Sequence, residues 1–151
     1  MPVIANREQV EANIVRLIRG CQILGVPILI TEQKGLYQTV KPLREALGDG
    51  YKPIEKSCFS GYQPLERKQV IVAGVETHVC VYQTVSDLLA NGYEVTIVAD
   101  AVSSRTVENK DIALRRMTSD GAKLSSTEMA LFELTVASGT DEFRAISKLV
   151  K

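Results

Sequence analysis

A chain of 151 residues is long enough to form one domain with its own hydrophobic core, without disulfides or metal ions to stabilise it. Lys and Arg total 18, as do Asp and Glu, so the formal net charge is zero, which argues against a nucleic-acid-binding protein. The sequence has no apolar run long enough to cross a membrane and no basic region followed by an apolar one at its start. We therefore expect no membrane association and a cytoplasmic location, where the three cysteines stay reduced.

Helical and strand-like patterns alternate along the chain. A helix is predicted over residues 7–24, capped by Asn6 with Gln9 in a capping box, and a strand that is covered on both faces is predicted at residues 27–31. Further strands are predicted at residues 69–74 and 94–99, and further helices at residues 77–91, 106–120, 127–136 and 141–150, with Ser125 and Glu128 as the capping box of the helix at 127–136. This alternation predicts an α/β fold with a mainly parallel sheet and helices on both faces.

Cys80 is the first candidate for chemistry. In open parallel sheets, ligands bind beyond the carboxyl ends of the strands, and Cys80 follows such an end, near the start of the next helix. The helix dipole and free backbone N–H groups favour a thiolate there, and the same N–H groups could bind the oxyanion formed when a thiolate attacks a carbonyl. Alternatively, Cys80 is a small buried residue that packs the helix against the sheet, and its position alone leaves both interpretations open.

The other candidates are weaker when taken alone. His78 is the only histidine, and because it lies two residues from Cys80 it would not face the thiol on a helix; we interpret it as a pocket or surface residue rather than a base. Lys56 could stabilise a thiolate, but by itself it is better interpreted as a surface lysine, while Cys21 and Cys58 are interpreted as packing residues. No zinc-ligand cluster and no glycine-rich phosphate loop accompany them, so we expect no metal ion or other cofactor.

Two segments carry specific motifs. Residues 70–81 read Val-Ile-Val-Ala-Gly-Val-Glu-Thr-His-Val-Cys-Val, and residues 55–60 read Glu-Lys-Ser-Cys-Phe-Ser. Both closely resemble the isochorismatase-like cysteine hydrolase family, in the branch of isochorismatase domain-containing proteins. Segments that resemble the same branch are 31–33, 87–89, 98–105, 126–128 and 143–151. The resemblance therefore covers nearly the whole chain.

The resemblance implies a three-layer α/β/α fold with a six-stranded parallel sheet and a catalytic triad of aspartate, lysine and cysteine. Cys80 maps onto the nucleophile and Lys56 onto the triad lysine, and a non-proline cis peptide is common in the family around residues 75–76. The resemblance also places residues beside the substrate: Glu76, Thr77 and Val79 in the oxyanion loop, and Gln33, Phe59 and His78 in the pocket. The implied reaction is thiolate attack on an amide or similar carbonyl of a small molecule, through a covalent acyl-enzyme that water hydrolyses, in a homo-oligomer of two or more chains.

The chain departs from the family at the triad aspartate. In the family this residue ends an apolar first strand at the centre of the sheet, before the helix that begins here at Arg7, but residues 1–5 are too few for that strand and contain no acid. The segments near residues 33–34 and 61–67 are also shorter than in the family. Unpaired backbone groups in a sheet centre cost about 1–3 kcal/mol each, so a stable domain needs a first strand. We therefore expect residues 1–151 to belong to a single domain, with a first strand and parts of these two segments missing from this sequence.

The missing acid leaves a second function open. A catalytically silent family member would act as a binding or scaffolding subunit. Asp100 is the nearest substitute acid in the sequence, but we expect it to anchor the loop at residues 101–105 through backbone hydrogen bonds. Among active relatives, true isochorismatases lack the nucleophilic cysteine, and nicotinamidases carry paired metal-binding histidines that do not follow Gln33 here. Neither isochorismate nor nicotinamide is therefore the favoured substrate.

Overall fold

The computed structural model describes residues 3–151, which form helices packed against short parallel strands. The helices are α1 (Arg7–Leu24), α2 (Lys41–Leu47), α3 (Tyr82–Ala90), α4 (Val107–Ser119), α5 (Thr127–Thr135) and α6 (Asp141–Val150), with a 3₁₀ turn at Gly48–Gly50 and a π-helical turn at Thr77–Val81 directly before α3. The strands are β1 (Thr31–Gln33), β2 (Ile54–Lys56), β3 (Gln69–Val75), β4 (Glu94–Ser103) and β5 (Lys123–Ser125). All observed strand pairs are parallel, and the predicted α/β class is confirmed.

Strand β4 lies between two separate hydrophobic cores. Val95 and Ile97 are almost fully buried in a core that includes side chains of α3 and α4. Val98, which points to the opposite face because strand residues alternate, is buried in a second core with side chains of α1, α5 and α6. Full burial of one such aliphatic side chain contributes about 1.5–3 kcal/mol. The strand therefore anchors helices on both of its sides, as the three-layer arrangement requires.

The five strands form two sheets rather than one. β1 pairs with β2, and β3 pairs with β4, which pairs with β5; within residues 3–151 no strand joins β1 to β3. Ile71 on β3 is 37% exposed, and Ile28 and Leu29, just before β1, are 36% and 47% exposed. The prediction of a strand at residues 27–31, covered on both faces, is therefore wrong: the strand begins at Thr31, and the apolar residues before it are partly exposed.

Helix bounds agree with the patterns better than caps do. α1 and α6 begin and end at the predicted residues. The capping box of α1 is wrong, because Asn6 adopts a left-handed conformation (φ 51°) and its side chain makes no capping hydrogen bond. At α5 the cap is Ser126, whose side chain accepts from the Met129 N–H, because Ser125 is the last residue of β5.

Three short elements are not predicted by the sequence patterns. They are α2, with seven residues, and β2 and β5, with three residues each. Such segments are shorter than the window over which a hydrophobic period becomes visible. In the described part of the chain, no helix combines the length and the apolar character needed to cross a bilayer.

Candidate functional site

An abrupt turn after β3 carries Cys80. Glu76, the first residue after the strand, has φ 59° and ψ 58°, a left-handed conformation that is uncommon for a residue with a side chain. Its carbonyl accepts hydrogen bonds from the N–H groups of Val79 (2.9 Å) and Val81 (3.3 Å), which closes the π-helical turn. Such turns occur frequently at functional sites. Cys80 lies on this turn, half-buried and not in a disulfide.

The turn is not built on a cis peptide. Residues 3–151 contain no cis peptide bond, so the cis peptide implied around residues 75–76 is wrong. The left-handed backbone at Glu76 redirects the chain instead. The Val79 N–H, already bonded to the Glu76 carbonyl, is not free to bind an oxyanion in this conformation.

Lys56 lies at the end of β2, opposite Gln33 at the end of β1. Its Nζ donates to Gln33 Oε1 (2.7 Å) and to the carbonyls of Phe59 (2.7 Å) and Cys58 (3.2 Å). Gln33 Nε2 in turn donates to the Ser57 carbonyl (2.8 Å). All three acceptors of Lys56 are neutral, so its ammonium is oriented without its charge being compensated by an ion pair among the described residues.

One hydroxyl group connects the lysine segment to the cysteine turn. Thr84 Oγ1, on α3, accepts from the Gly61 N–H (2.7 Å) and donates to the Cys80 carbonyl (2.7 Å). A Cβ at position 61 would lie 3.0 Å from Oγ1 of Thr31, the first residue of β1, and 3.4 Å from Thr84 Oγ1. The segment after Lys56 is therefore clamped between β1 and α3, and the close approach favours glycine, because a larger residue would displace these threonine side chains by a few tenths of an ångström.

The side chain of Glu76 lies between Arg105 and His78. Arg105 Nε is 3.0 Å from Glu76 Oε1, and His78 Nδ1 is 3.6 Å from Glu76 Oε2. The same His78 nitrogen is 2.9 Å from Ser104 Oγ. His78 therefore directs Nδ1 to the segment that follows β4 and not to Cys80.

Thr77, Phe59 and Cys58 differ in their exposure to solvent. Thr77 is fully buried, and its hydroxyl has no hydrogen-bond partner in the described part of the chain. The Phe59 side chain is 52% exposed, although its carbonyl holds Lys56. Cys58 is exposed, with Sγ 3.3 Å from the Ser60 carbonyl, so its interpretation as a packing residue is wrong.

Cys21, by contrast, is half-buried on α1. Burial raises the pKa of its thiol, which keeps it protonated and unreactive near neutral pH.

The nearby acidic side chains are all engaged elsewhere. Glu76 is paired with Arg105. Glu32 Oε1 accepts from the N–H and hydroxyl of Thr39 and from Tyr51. Partial burial of Glu32 opposes ionisation, but the hydrogen bonds from Tyr51 and Thr39 outweigh it and hold the pKa of this carboxyl below its usual value.

Asp100 also has a structural partner, though not the expected one. Its Oδ1 accepts from the N–H (2.8 Å) and hydroxyl (2.9 Å) of Thr127. It therefore anchors the first residue of α5, and the expectation that it holds the loop at residues 101–105 is wrong. No carboxylate pairs with Lys56 among residues 3–151.

Comparison with known sequences identifies a family. The isochorismatase domain matches residues 2–129. The secreted isochorismatase effector Isc1 of Phytophthora sojae (strain P6497) is 40% identical over a gapped alignment of 149 positions, which covers 89% of this chain and 71% of that protein. Isochorismatase domain-containing protein 2 of Danio rerio is 38% identical over a gapped alignment of 157 positions, which covers 99% of this chain and 80% of that protein. The chain spans only about half (51%) of isochorismatase domain-containing protein 1 of Danio rerio.

Solved structures with the same fold agree. The MAR1 ribonuclease from Caenorhabditis elegans superimposes with a TM-score of 0.92 at 36% identity, covering 99% of this chain and 82% of that one. The YcaC gene product of Escherichia coli, described as an octameric hydrolase of unknown specificity, has a TM-score of 0.78 at 20% identity, covering 94% of this chain and 76% of that one. At that identity the second match bears on the fold alone.

Several residues of this site are not singled out by the sequence. Thr84 follows Cys80 by four positions and so lies on the same helical face, but a single threonine at that spacing is too common to predict a bridge. Gly61 gives no signal in an isolated sequence, because its partner is distant along the chain. Ser104 and Arg105 are noticeable only as the last two residues of a segment that resembles the family.

The hydrogen bonds through which Thr84 joins Gly61 to Cys80 can be tested by their contribution to the free energy of unfolding. Thr84→Val keeps the shape of the side chain but removes the acceptor of the Gly61 N–H and the donor to the Cys80 carbonyl, and we expect a loss of about 1–3 kcal/mol in the free energy of unfolding. The measurement is urea denaturation followed by circular dichroism.

Thr118→Val is the matched control. Thr118 is exposed on α4, and its hydroxyl donates only to the Leu114 carbonyl of its own helix, so its removal is expected to cost about 0.5 kcal/mol or less. Equal losses in the two variants would contradict the bridging role of Thr84.

Proposed function

The chain belongs to the isochorismatase family of hydrolases, and on this premise we propose that it cleaves an amide or related carbonyl compound with the Cys80 thiolate as nucleophile. The observation that carries the proposal is the position of Cys80 on the π-helical turn between β3 and α3. There the first backbone N–H groups of the helical segment lack helical acceptors, and the helix dipole favours negative charge on sulfur.

The proposed reaction has two stages. The sulfur of Cys80 bonds to the substrate carbonyl carbon, and the resulting oxyanion receives hydrogen bonds from backbone N–H groups of the loop that contains Glu76 and Thr77. The bond to the leaving amine then breaks as an acid protonates its nitrogen, leaving an acyl-enzyme thioester. Water, deprotonated by the conjugate base, attacks this thioester, restores the thiol and releases the carboxylic acid. No cofactor takes part.

Lys56 is the proposed electrostatic partner of the thiolate and oxyanion. Its three N–H donors are used by neutral oxygens, so its positive charge stays uncompensated and can stabilise a nearby anion through space. The clamp from Gly61 through Thr84 to the Cys80 carbonyl links the lysine segment to the cysteine turn. Gln33, Phe59 and His78 are the proposed pocket residues around a small substrate.

We place the general acid and base on a strand outside residues 1–151. The nearby carboxylates of Glu32, Glu76 and Asp100 have other partners. β1 and β3 each pair on one side only among the described residues, and the unpartnered Thr77 hydroxyl lies directly beyond β3. A strand between β1 and β3 would satisfy their free backbone groups and bring a carboxylate at its end to the same edge as Lys56 and Cys80. Residues 1–151 would then be the larger part of one hydrolase domain.

RNA is the second candidate substrate. The observation that favours it is the similarity, at 36% identity, to a protein described as a ribonuclease. The zero net charge of this chain and the pairing of Arg105 with Glu76 favour a small uncharged substrate instead.

A catalytically silent scaffolding role is the alternative that involves no enzyme activity, and it requires Cys80 to be dispensable.

Hydrolysis of small amides and of an RNA oligonucleotide is tested with protein that carries the proposed strand in addition to residues 1–151. We expect Cys80→Ala to lose at least about a thousandfold in the rate of amide cleavage, because the nucleophile is removed, and electrospray mass spectrometry of the wild type to detect the acyl-enzyme. Rapid iodoacetamide labelling of Cys80 near neutral pH should fall by about tenfold in Lys56→Ala, because the thiolate loses its cation.

Lys52→Ala is the control, because Lys52 is an exposed lysine just before β2 that forms no ion pair with a described carboxylate. RNA cleavage that survives Cys80→Ala would favour the second candidate. Labelling of Cys80 no faster than that of a free thiol, with no amide cleaved, would leave the scaffolding alternative.

The proposed strand is tested by complementation. A synthetic peptide of five valine and isoleucine residues ending in aspartate should stabilise the chain by about 2.7 kcal/mol at a free concentration 100 times its Kd, measured by thermal unfolding. The same peptide ending in asparagine should stabilise equally but give no increase in amide cleavage.

A peptide with proline at its centre is the control, since proline interrupts strand pairing. Equal stabilisation by the proline peptide, or none by either of the others, would contradict the position of the strand.

A homo-oligomer of two or more chains is also part of the proposal. Exposed apolar side chains such as Leu36 and Tyr37, at 70% and 88% exposure, lie on the loop after β1 and could be covered by a second copy of the chain. Sedimentation velocity at micromolar concentration should show a species of at least dimer mass, and a lone monomer would contradict it.

A further inference from the structure

The contact between Arg105 and Glu76 lies at the residue where the chain leaves β3 for the cysteine turn. Arg105 Nε is 3.0 Å from Glu76 Oε1, and the two residues are 29 positions apart. Arg105 is 58% exposed and Glu76 24%. An exposed ion pair of this kind contributes little to global stability, so its interest lies in the backbone it holds.

Glu76 needs support for its conformation. Of the described residues, only Asn6, Glu76 and Val136 combine a side chain with a positive φ, and the left-handed region is disfavoured for such residues by the contact of Cβ with the backbone. Isolated residues in this region persist only where surrounding contacts enforce them. The Glu76 carbonyl accepts both N–H groups that close the π-helical turn, so a change of conformation at Glu76 would reorganise the turn.

The segment after β4 is placed to supply that support. β3 and β4 pair as far as Val75 and Ser103, after a shift in register between Val72 and Gly74, and consequently the residues beyond their ends lie side by side. Ser104 Oγ contacts His78 Nδ1 at 2.9 Å, and Arg105 contacts Glu76. Two consecutive residues thus hold two residues of the cysteine turn from outside it.

We propose that Arg105 is a positioning residue for Cys80, acting through Glu76: the ion pair keeps Glu76 left-handed, and this conformation sets the turn on which the thiol and the neighbouring N–H groups lie. Its importance for catalysis rests on the proposed function of Cys80, but the coupling between Arg105 and the turn does not. Arg105 forms no hydrogen bond or ion pair with Lys56 or with the thiol of Cys80 in the described structure, so its effect is indirect.

The test is a double-mutant cycle read out at Cys80. We expect Arg105→Ala to lower the rate of Cys80 alkylation by iodoacetamide about tenfold, with Arg105→Lys intermediate. Glycine reaches the left-handed region without support. In the Glu76→Gly background, therefore, Arg105→Ala should change the rate by less than about twofold.

A second measurement reports on the conformation of the π-helical turn directly. Hydrogen exchange at the N–H groups of Val79 and Val81, both bonded to the Glu76 carbonyl, should accelerate in Arg105→Ala and recover when Glu76→Gly is added. Arg115→Ala is the control: Arg115 is exposed on α4 and bonds only to the Asp111 carbonyl of its own helix, so neither readout should change.

Two results would overturn the inference. One is a rate of Cys80 alkylation that does not change in Arg105→Ala. The other is that Arg105→Ala lowers this rate equally whether position 76 is glutamate or glycine, which would mean that Arg105 acts by its charge alone. Failure of the proposed function has a different signature, namely amide cleavage that does not depend on Cys80 while the coupling of Arg105 to residue 76 is still measured.

Discussion

The parallel pairing of β3 with β4 is the contact on which the candidate site depends. It brings the ends of two strands side by side, and thereby the cysteine turn beside Ser104 and Arg105. The register is not uniform: from Val72 to Gly74 β3 advances two residues, while β4 advances five, from Ile97 to Val102. The extra residues of β4 bulge from the ladder and carry Asp100, whose carboxylate anchors α5. One irregularity thus aligns the strand ends at the site and fixes a helix on the opposite layer.

Helices and long strands of this protein could be predicted from the sequence because their signals are local. The apolar stripe of α1, the strong amphipathic pattern of α6 and the apolar runs of β3 and β4 each span enough residues to define a period. The position of Cys80 at a strand end was equally visible. What could not be predicted are features set by distant partners: the start of β1 at Thr31, the exposure of Cys58, and the capture of Thr127 by Asp100. Each depends on which segment packs against which, and a single sequence does not contain that information in local form.

The two halves of the candidate site differ in how they are held. The cysteine turn is supported by β3 and β4, which belong to one sheet, and by α3, which packs into the same hydrophobic core. The pair of Lys56 and Gln33 belongs to the separate two-stranded sheet of β1 and β2, and it reaches the cysteine turn through Gly61 and Thr84. Because isolated two-stranded sheets are marginally stable, the alignment of Lys56 with Cys80 depends on a few hydrogen bonds rather than on a continuous ladder.

This difference explains why a single additional strand would affect chemistry as well as stability. Between β1 and β3 it would convert two sheets into one and replace the exposure of Ile28, Leu29 and Ile71 by burial, worth about 1.5–3 kcal/mol for each fully buried side chain. The same ladder would fix the distance from Lys56 to Cys80, since strands in a sheet lie about 4.8 Å apart. Arg105 and Glu76 lie on the β4 side of the cysteine turn, away from that position. They can therefore set the conformation of the turn independently, whereas the relation of the lysine to the thiol depends on the sheet between them.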